Sequence, residues 1–372
     1  MAADRLVLAV ACSIVLLGAG CASDDEPETV AQPTVSEAAT TEARRAQLAP
    51  FSRLAGVTTV TTYAQFGEGL ALWQERVPRI EDVRIRSTSD GSRQPALWLP
   101  PGRQRPAPLL VVVHSWSSGY LQNSGIPFAA WAEQNGWAMI APNFRGANEG
   151  PQATGSDLAV QDVVDSIDFA VEQGVDEERV FVIGYSGGGM MALLLASRHP
   201  DRFAGVASWV PVYDVVDWYR YVRDNLPQEA YAAQIIASCG GDPSASGQAQ
   251  TACRERSPRT YIAGARDAGV PIYLGQGLSD DRVPPHYAAL AFNDLAEPAE
   301  RLGAAAIGAL SERRLPDDLQ GSVETETYFG TADPTVFFAR TSGPVSLVIF
   351  DGGHDMVYNP SLAWMHRIAS RP

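Results

Sequence analysis

Apolar residues fall along this chain in two alternating rhythms. Near-continuous runs from Leu109 to Val113, Trp137 to Ala141, Val180 to Ile183, Gly205 to Trp209, Pro271 to Leu274 and Val345 to Phe350 are each bounded by turn residues. Val, Ile and Leu without polar alternation mark strands whose two faces are both covered, as in a parallel sheet. Between these runs, Ile126 to Asn135, Asp157 to Gln173, Gly187 to Arg198 and Tyr287 to Asn293 carry the apolar spacing of helices. Strands alternating with helices imply right-handed crossovers and predict an α/β class with a doubly wound, mostly parallel sheet. Upstream, Val83 to Ser87 and Ala96 to Leu99 predict a strand pair around a turn at Asp90-Gly91. Two segments exceed what the crossovers need, about 212–269, with Trp218, Tyr219 and Tyr221, and about 298–343. In such sheets a ligand sits beyond the carboxyl ends of the strands, so both insertions are expected to be lids.

The start of the chain has a different character. Arg5 precedes an apolar run from Leu6 to Ala19, shorter than the roughly 20 residues of a bilayer-crossing helix. Residues 1–20 therefore predict a signal peptide. The stretch Leu16-Leu17-Gly18-Ala19-Gly20-Cys21 resembles a bacterial lipoprotein signal, which implies that Cys21 becomes a lipidated N-terminus; plain secretion is the alternative. Residues 21–49 are rich in Ala, Thr, Glu, Ser and Pro and poor in large apolar side chains. Such a stretch buries too little to offset its ordering entropy and predicts a disordered tether, leaving 50–372 as the folded domain. The expected location is extracytoplasmic, in the bacterial envelope, with the membrane touched through the lipid anchor only.

Charge narrows the partners. With 43 acidic against 28 basic residues and a net charge of -15, neither nucleic acid nor an anionic lipid patch is expected as a partner. Cysteine usage fits an oxidising compartment. Cys12 and Cys21 fall in the signal, and Cys239 and Cys253 flank a polar loop where a disulfide is expected, two free thiols being the alternative.

The densest chemical signal is Val180 to Gly189, in which Gly184-Tyr185-Ser186-Gly187-Gly188 joins a buried strand to the helix-forming Met190 to Leu195. A serine on a sharp strand-to-helix turn, flanked by glycines that let neighbouring backbone approach, is a nucleophile elbow and predicts the α/β-hydrolase fold. The alternative, a phosphate-binding glycine loop, would need a lysine or a dinucleotide-turn spacing that the stretch lacks. A serine hydroxyl needs a base. Of five histidines, His354 follows the last apolar run, His286 is its competitor, and His199 and His366 fall in helices as surface or packing residues. Asp280, on the loop after Pro271 to Leu274, completes the order Ser, Asp, His of this fold, with Asp281 and Asp214 as alternatives. Oxyanion donors are expected from the backbone of Gly187 and of Trp116, the latter in His114-Ser115-Trp116-Ser117-Ser118-Gly119. With no HExxH or CxxC, neither a metal nor an organic cofactor is called for.

Several stretches, in order, resemble the catalytic domain of the prolyl oligopeptidase family of serine peptidases and their esterase relatives. They are Pro142 to Gly146, Asp162 to Asp165, Val175 to Val180, Gly184 to Gly188, His199 to Phe203, Gly277 to Pro284 and Gly353-His354. The resemblance runs from about Ile80 to the C-terminus and implies the same triad and oxyanion roles. Peptidases of that family carry an N-terminal β-propeller, whereas here residues 50–79 alone separate the tether from the first strand, and Ser115 stands where relatives have Gly. The expected reaction is carboxylic ester hydrolysis on a small ester. The alternatives are exopeptidase or amidase action on a short peptide, and a non-catalytic binding protein on a hydrolase scaffold.

Overall fold

The computed structural model describes residues 69–102, 105–245, 247–329 and 334–371. The expectations for the signal at 1–20, for Cys21 and for the tether at 21–49 lie outside the described residues.

Helix α1 (Leu70–Arg76) leads into β1 (Glu81–Arg86) and β2 (Arg93–Leu99). Then β3 (Ala107–Val113), α2 (Ile126–Asn135), β4 (Ala138–Pro142), α3 (Asp157–Glu172), β5 (Val175–Tyr185), α4 (Gly187–Arg198) and β6 (Gly205–Trp209) follow. The next insertion holds α5 (Val215–Asn225), α6 (Tyr231–Cys239), α7 (Gln248–Glu255), α8 (Pro258–Tyr261) and α9 (Ala263–Ala268). The chain closes with β7 (Ile272–Gly277), α10 (His286–Leu295), α11 (Ala304–Ser311), β8 (Val336–Ser342), β9 (Val345–Phe350) and α12 (Tyr358–Ala369).

The described strands form one nine-stranded sheet in the order β1-β2-β4-β3-β5-β6-β7-β9-β8. From β4 to β9 every neighbouring pair is parallel. The antiparallel pairs lie towards the edges, β1 with β2, β2 with β4, and β8 with β9. This is the mostly parallel α/β-hydrolase fold. Alternate residues of each strand feed two separate cores, as the two-residue period of a strand requires. Leu109, Val111 and Val113 of β3 join Val180 and Val182 of β5 in a core under α3, α4 and α10. Leu110, Val112, Phe181 and Ile183 face the other way, into a core closed by Trp73 of α1, Phe128 and Trp131 of α2, and Trp364 of α12. Both faces are covered, which is why the central strands carry no polar alternation.

Two expectations need correction. The segment 298–343 is not a lid throughout: α11 packs on α10, and β8 pairs antiparallel with β9 to finish the sheet edge. A register shift between Val336 and Phe338 breaks the two-residue alternation and hides β8 from a pattern reading. The insertion 212–269 is likewise only partly a cover, since α8 and α9 lie against α4 as part of the body, while α5 and α6 reach the site described below. Within that insertion Cys239, the last residue of α6, is bonded to Cys253 in α7, 14 residues on.

Candidate active site

The site is assembled from loops at the carboxyl ends of β3, β5, β7 and β9. Ser186 occupies the turn between β5 and α4 with φ 58° and ψ −122°, a backbone state that costs a non-glycine residue of order 1–3 kcal/mol. The surrounding structure holds it there. The Ser186 N–H donates to the Trp209 carbonyl at 2.9 Å, and Gly188 runs so close to β3 that a Cβ on it would sit 2.5 Å from the Val113 carbonyl oxygen. Ser186 thus sits just past the carboxyl end of β5, 6% exposed.

Asp280 and His354 meet from two neighbouring strands. Backbone bonds from Leu278 N–H to the Phe350 carbonyl (3.0 Å) and from Ser279 N–H to the Gly352 carbonyl (2.8 Å) lock the loop after β7 onto the loop after β9. A Cβ on Gly277 would lie 2.1 Å from the Gly353 oxygen, so only glycine permits this approach. The His354 Nδ1–H donates to Asp280 Oδ2 at 2.9 Å. Asp280 is fully buried, and its other oxygen accepts from the Arg282 and Val283 amides, each at 2.9 Å. Gln276 Nε2 adds a longer bond to Oδ2 at 3.3 Å. A buried carboxylate with this many donors is fixed in place and fixes in turn the tautomer of the ring it faces. The His354 ring lies 6.2 Å, centroid to centroid, from that of Tyr185, the neighbour of Ser186. Ser186 and His354 themselves are not hydrogen-bonded in this structure; such bonds commonly tighten only when a substrate is in place.

The competing assignments are occupied elsewhere. Asp214 caps α5, accepting from the Val216 and Asp217 amides at 3.0 and 3.1 Å. Asp281 is exposed. His286 starts α10 and faces Asp217, with Nε2 3.9 Å from Oδ2. Asp217 is held below the usual carboxylate range chiefly by the nearby His286 imidazole, with burial acting in the opposite sense.

Gly187 and Trp116 come together across the mouth of the turn. A Cβ on Gly187 would lie 2.7 Å from both the N and the Cα of Trp116, so the two backbones are in direct contact. As the first residue of α4, Gly187 has an amide with no acceptor inside the helix. The loop carrying Trp116 is braced on several sides. Its carbonyl accepts from the Asn148 amide at 2.8 Å, its indole Nε1–H donates to Gln234 Oε1 at 2.9 Å, and the Ser115 amide donates to Gln122 Oε1 at 2.7 Å. Gln122 also donates to the Tyr185 hydroxyl at 2.8 Å, tying this loop to the elbow. His114 stacks flat on Phe144 with centroids 3.8 Å apart, and burial holds its imidazole below the usual histidine range.

Side chains from the insertion roof the same space. Trp218 packs edge-on against Trp116 and donates its indole N–H to the Arg282 carbonyl at 2.9 Å. Tyr221 donates to the Asp281 carbonyl at 2.6 Å. A small apolar cavity of about 20 Å³ lies behind the elbow, lined in part by Trp73, Phe128, Tyr185 and Met356, but not by Ser186, Asp280 or His354. Among the described residues no group of three or more His, Cys, Asp or Glu is arranged to hold a metal ion.

Ser186, Gly187, Trp116, Asp280 and His354 are thus brought to one sheet edge, Cys239 and Cys253 lie in the adjoining insertion, and Cys21 is outside the described residues. Asn148, Gln122, Gln234 and Trp218 are neighbours of the site that no local motif announces. Their proximity depends on chain crossings far apart in sequence.

Similarity to known proteins covers parts of the chain. The presumed esterase NocK of Nocardia uniformis subsp. tsuyamanensis is 39% identical over 121 residues, 30% of this chain and 33% of that protein. The acylamino-acid-releasing enzyme of Arabidopsis thaliana is 27% identical over 191 residues, 45% of this chain and 24% of that enzyme. The chain therefore matches a third or less of the length of either relative. Among solved structures, uncomplexed Pyrococcus horikoshii acylaminoacyl peptidase aligns with a TM-score of 0.46 at 20% identity, over 58% of this chain and 34% of that one. Residues 128–306, just under half of the chain, match the model of the prolyl oligopeptidase family.

Proposed function

We propose that this protein is a serine hydrolase that cleaves carboxylic esters through an acyl-enzyme. The observation that carries the reading is the His354–Asp280 hydrogen bond set beside the strained Ser186 turn. In this reading Ser186 Oγ attacks the ester carbonyl carbon while His354 Nε2 takes the hydroxyl proton. Asp280 orients the ring and stabilises the imidazolium that forms. The carbonyl oxygen, now carrying the negative charge, receives the Trp116 and Gly187 amides, each worth about 3 kcal/mol in the barrier. As the carbon–oxygen bond to the alcohol breaks, His354 returns the proton to the leaving oxygen. Water then repeats the sequence on the acyl-serine and frees the acid.

Ester and amide hydrolysis share these groups, so the choice between them rests on the surroundings. Trp218, which packs against both Trp116 and Tyr231, makes the surroundings aromatic and supports a compact apolar acyl group, and the resemblance to a presumed esterase points the same way. A second reading, release of an acylated or free terminal residue from a short peptide, is favoured by the acylamino-acid-releasing relatives. Steady-state kinetics on a series of nitrophenyl esters beside acyl-aminoacyl and aminoacyl anilides decides. The ester reading predicts kcat/KM higher on the best ester than on every anilide after normalising each to its uncatalysed rate. The reverse order assigns the chain to the peptidases. From the apolar run Leu6 to Ala19 ahead of Cys21 we propose separately that the enzyme is held outside the cytoplasm by a lipid on Cys21, which incorporation of labelled palmitate into the parent but not into Cys21→Ser would test.

A further inference from the structure

Asn148 brings a side-chain donor to the place where the Trp116 and Gly187 backbones meet. It is 1% exposed. Its Oδ1 accepts from the Thr154 amide at 2.7 Å, so the orientation of the side chain is set: turning it over would put two donors face to face. The amide nitrogen Nδ2 then points away from Thr154, and it is a buried donor with no acceptor in the structure. Nδ2 lies 3.0 Å from the position a Cβ on Gly187 would take, where Trp116 N lies at 2.7 Å. Buried donors are rarely left without a partner, and one that persists beside a reacting group calls for a ligand that completes it.

The anchoring is elaborate for a surface loop. Asn148 N–H donates to the Trp116 carbonyl at 2.8 Å. Thr154, which fixes Oδ1, is itself buried, with its hydroxyl 2.7 Å from that of Ser238 in α6. Arg256 holds the Ala153 carbonyl at 2.8 Å. Contacts to Trp116 and Thr154, the latter held by Ser238, and the Arg256 bond to Ala153 thus position one unpaired amide nitrogen.

We infer that Asn148 Nδ2 is a third hydrogen-bond donor to the oxygen of the substrate's reacting acyl group, acting beside the Trp116 and Gly187 amides. This rests on the acyl-transfer reading and holds for an ester or an amide alike. A donor preorganised for the oxyanion acts mainly in the transition state, so its loss appears in kcat and little in KM.

The test compares the parent with Asn148→Ala and Asn148→Asp on a nitrophenyl ester, with fluorophosphonate labelling of each protein to count reactive serines. Aspartate keeps the size and the acceptor towards Thr154 N–H but removes the donor. The inference expects both variants to lose roughly 100-fold or more in kcat with KM within about threefold, and Asn148→Asp to lose at least as much as Asn148→Ala. It also expects both to reach full labelling on long incubation. An Asn148→Asp enzyme with parental kcat overturns the inference even if Asn148→Ala is crippled, because the side chain would then serve only to anchor Thr154. Parental kcat in Asn148→Ala overturns it outright, leaving Nδ2 as a donor to water. A folded parent that takes up no fluorophosphonate defeats the acyl-transfer reading, and this inference with it, whereas a labelled parent with an unimpaired Asn148→Asp defeats this inference alone.

Discussion

Trp116 and Trp218 pack edge to face, with ring centroids 4.7 Å apart and planes at 64°. Through that contact the insertion grips the loop carrying Trp116, while the Trp218 indole N–H holds the loop carrying Asp280 at the Arg282 carbonyl. One buried side chain therefore spaces two parts of the site. Trp218→Ala should cost about 3–5 kcal/mol of stability by cavity formation and lower kcat as both loops loosen. Trp218→Phe retains an aromatic ring and loses one hydrogen bond, about 1 kcal/mol, and should keep most of kcat. Urea unfolding and steady-state kinetics check both. Equal kcat in the parent and Trp218→Ala would show that the insertion does not position the site.

The choice of base separates His354 from His286. His354→Ala and Asp280→Asn should each lower kcat by roughly 10³-fold or more, the second because an amide supports the wrong ring tautomer. His286→Ala, whose ring faces Asp217 instead, should leave kcat within about threefold. A His286 variant as inactive as the His354 variant would reverse the assignment.

The Cys239–Cys253 bond closes a short loop between α6 and α7. Restricting the unfolded chain by a loop of about 15 residues is worth about 3 kcal/mol. The double variant Cys239→Ser/Cys253→Ser should lose that amount in urea unfolding, and reductant should destabilise the parent but not the variant.

His114 couples the loop carrying Trp116 to pH. Burial lowers its folded-state pKa, so on acidification the unfolded chain binds a proton, near the usual histidine value of about 6.5, before the folded one does. The stability held by keeping this ring neutral is therefore present above about pH 6.5 and is lost as pH falls through that value towards the folded pKa. Unfolding free energies taken from about pH 7.5 down to about 5.5 should fall more steeply for the parent than for His114→Gln. Parallel curves would remove His114 from the acid response.

What is legible in the sequence follows from what is local. The unbroken apolar runs at Leu109 to Val113 and Val345 to Phe350 announce strands covered on both faces, and the glycines around Ser186 announce a tight turn because a Cβ there meets backbone. Asp280 and His354 are each recognisable by their place after a strand, although the two backbone bonds that bring them to 2.9 Å are not. The start of β5 is masked by Asp176 to Arg179, a charged stretch exposed at Glu177 and Glu178 that still continues the strand from Val175. β8 is masked by its register shift. The approach of Asn148 to Gly187 and Trp116 joins three loops whose meeting is a property of the strand order alone, since nothing in Ala147-Asn148-Glu149 distinguishes it from an ordinary polar turn.

The most direct measurement is intact-mass analysis of the purified folded domain after reaction with a fluorophosphonate, beside Ser186→Ala and His354→Ala. An activated serine gives one adduct per chain in the parent, none in Ser186→Ala, and a rate reduced by orders of magnitude in His354→Ala. A folded parent that stays unmodified, or an adduct that survives the loss of Ser186, would contradict the assignment of this site to acyl transfer.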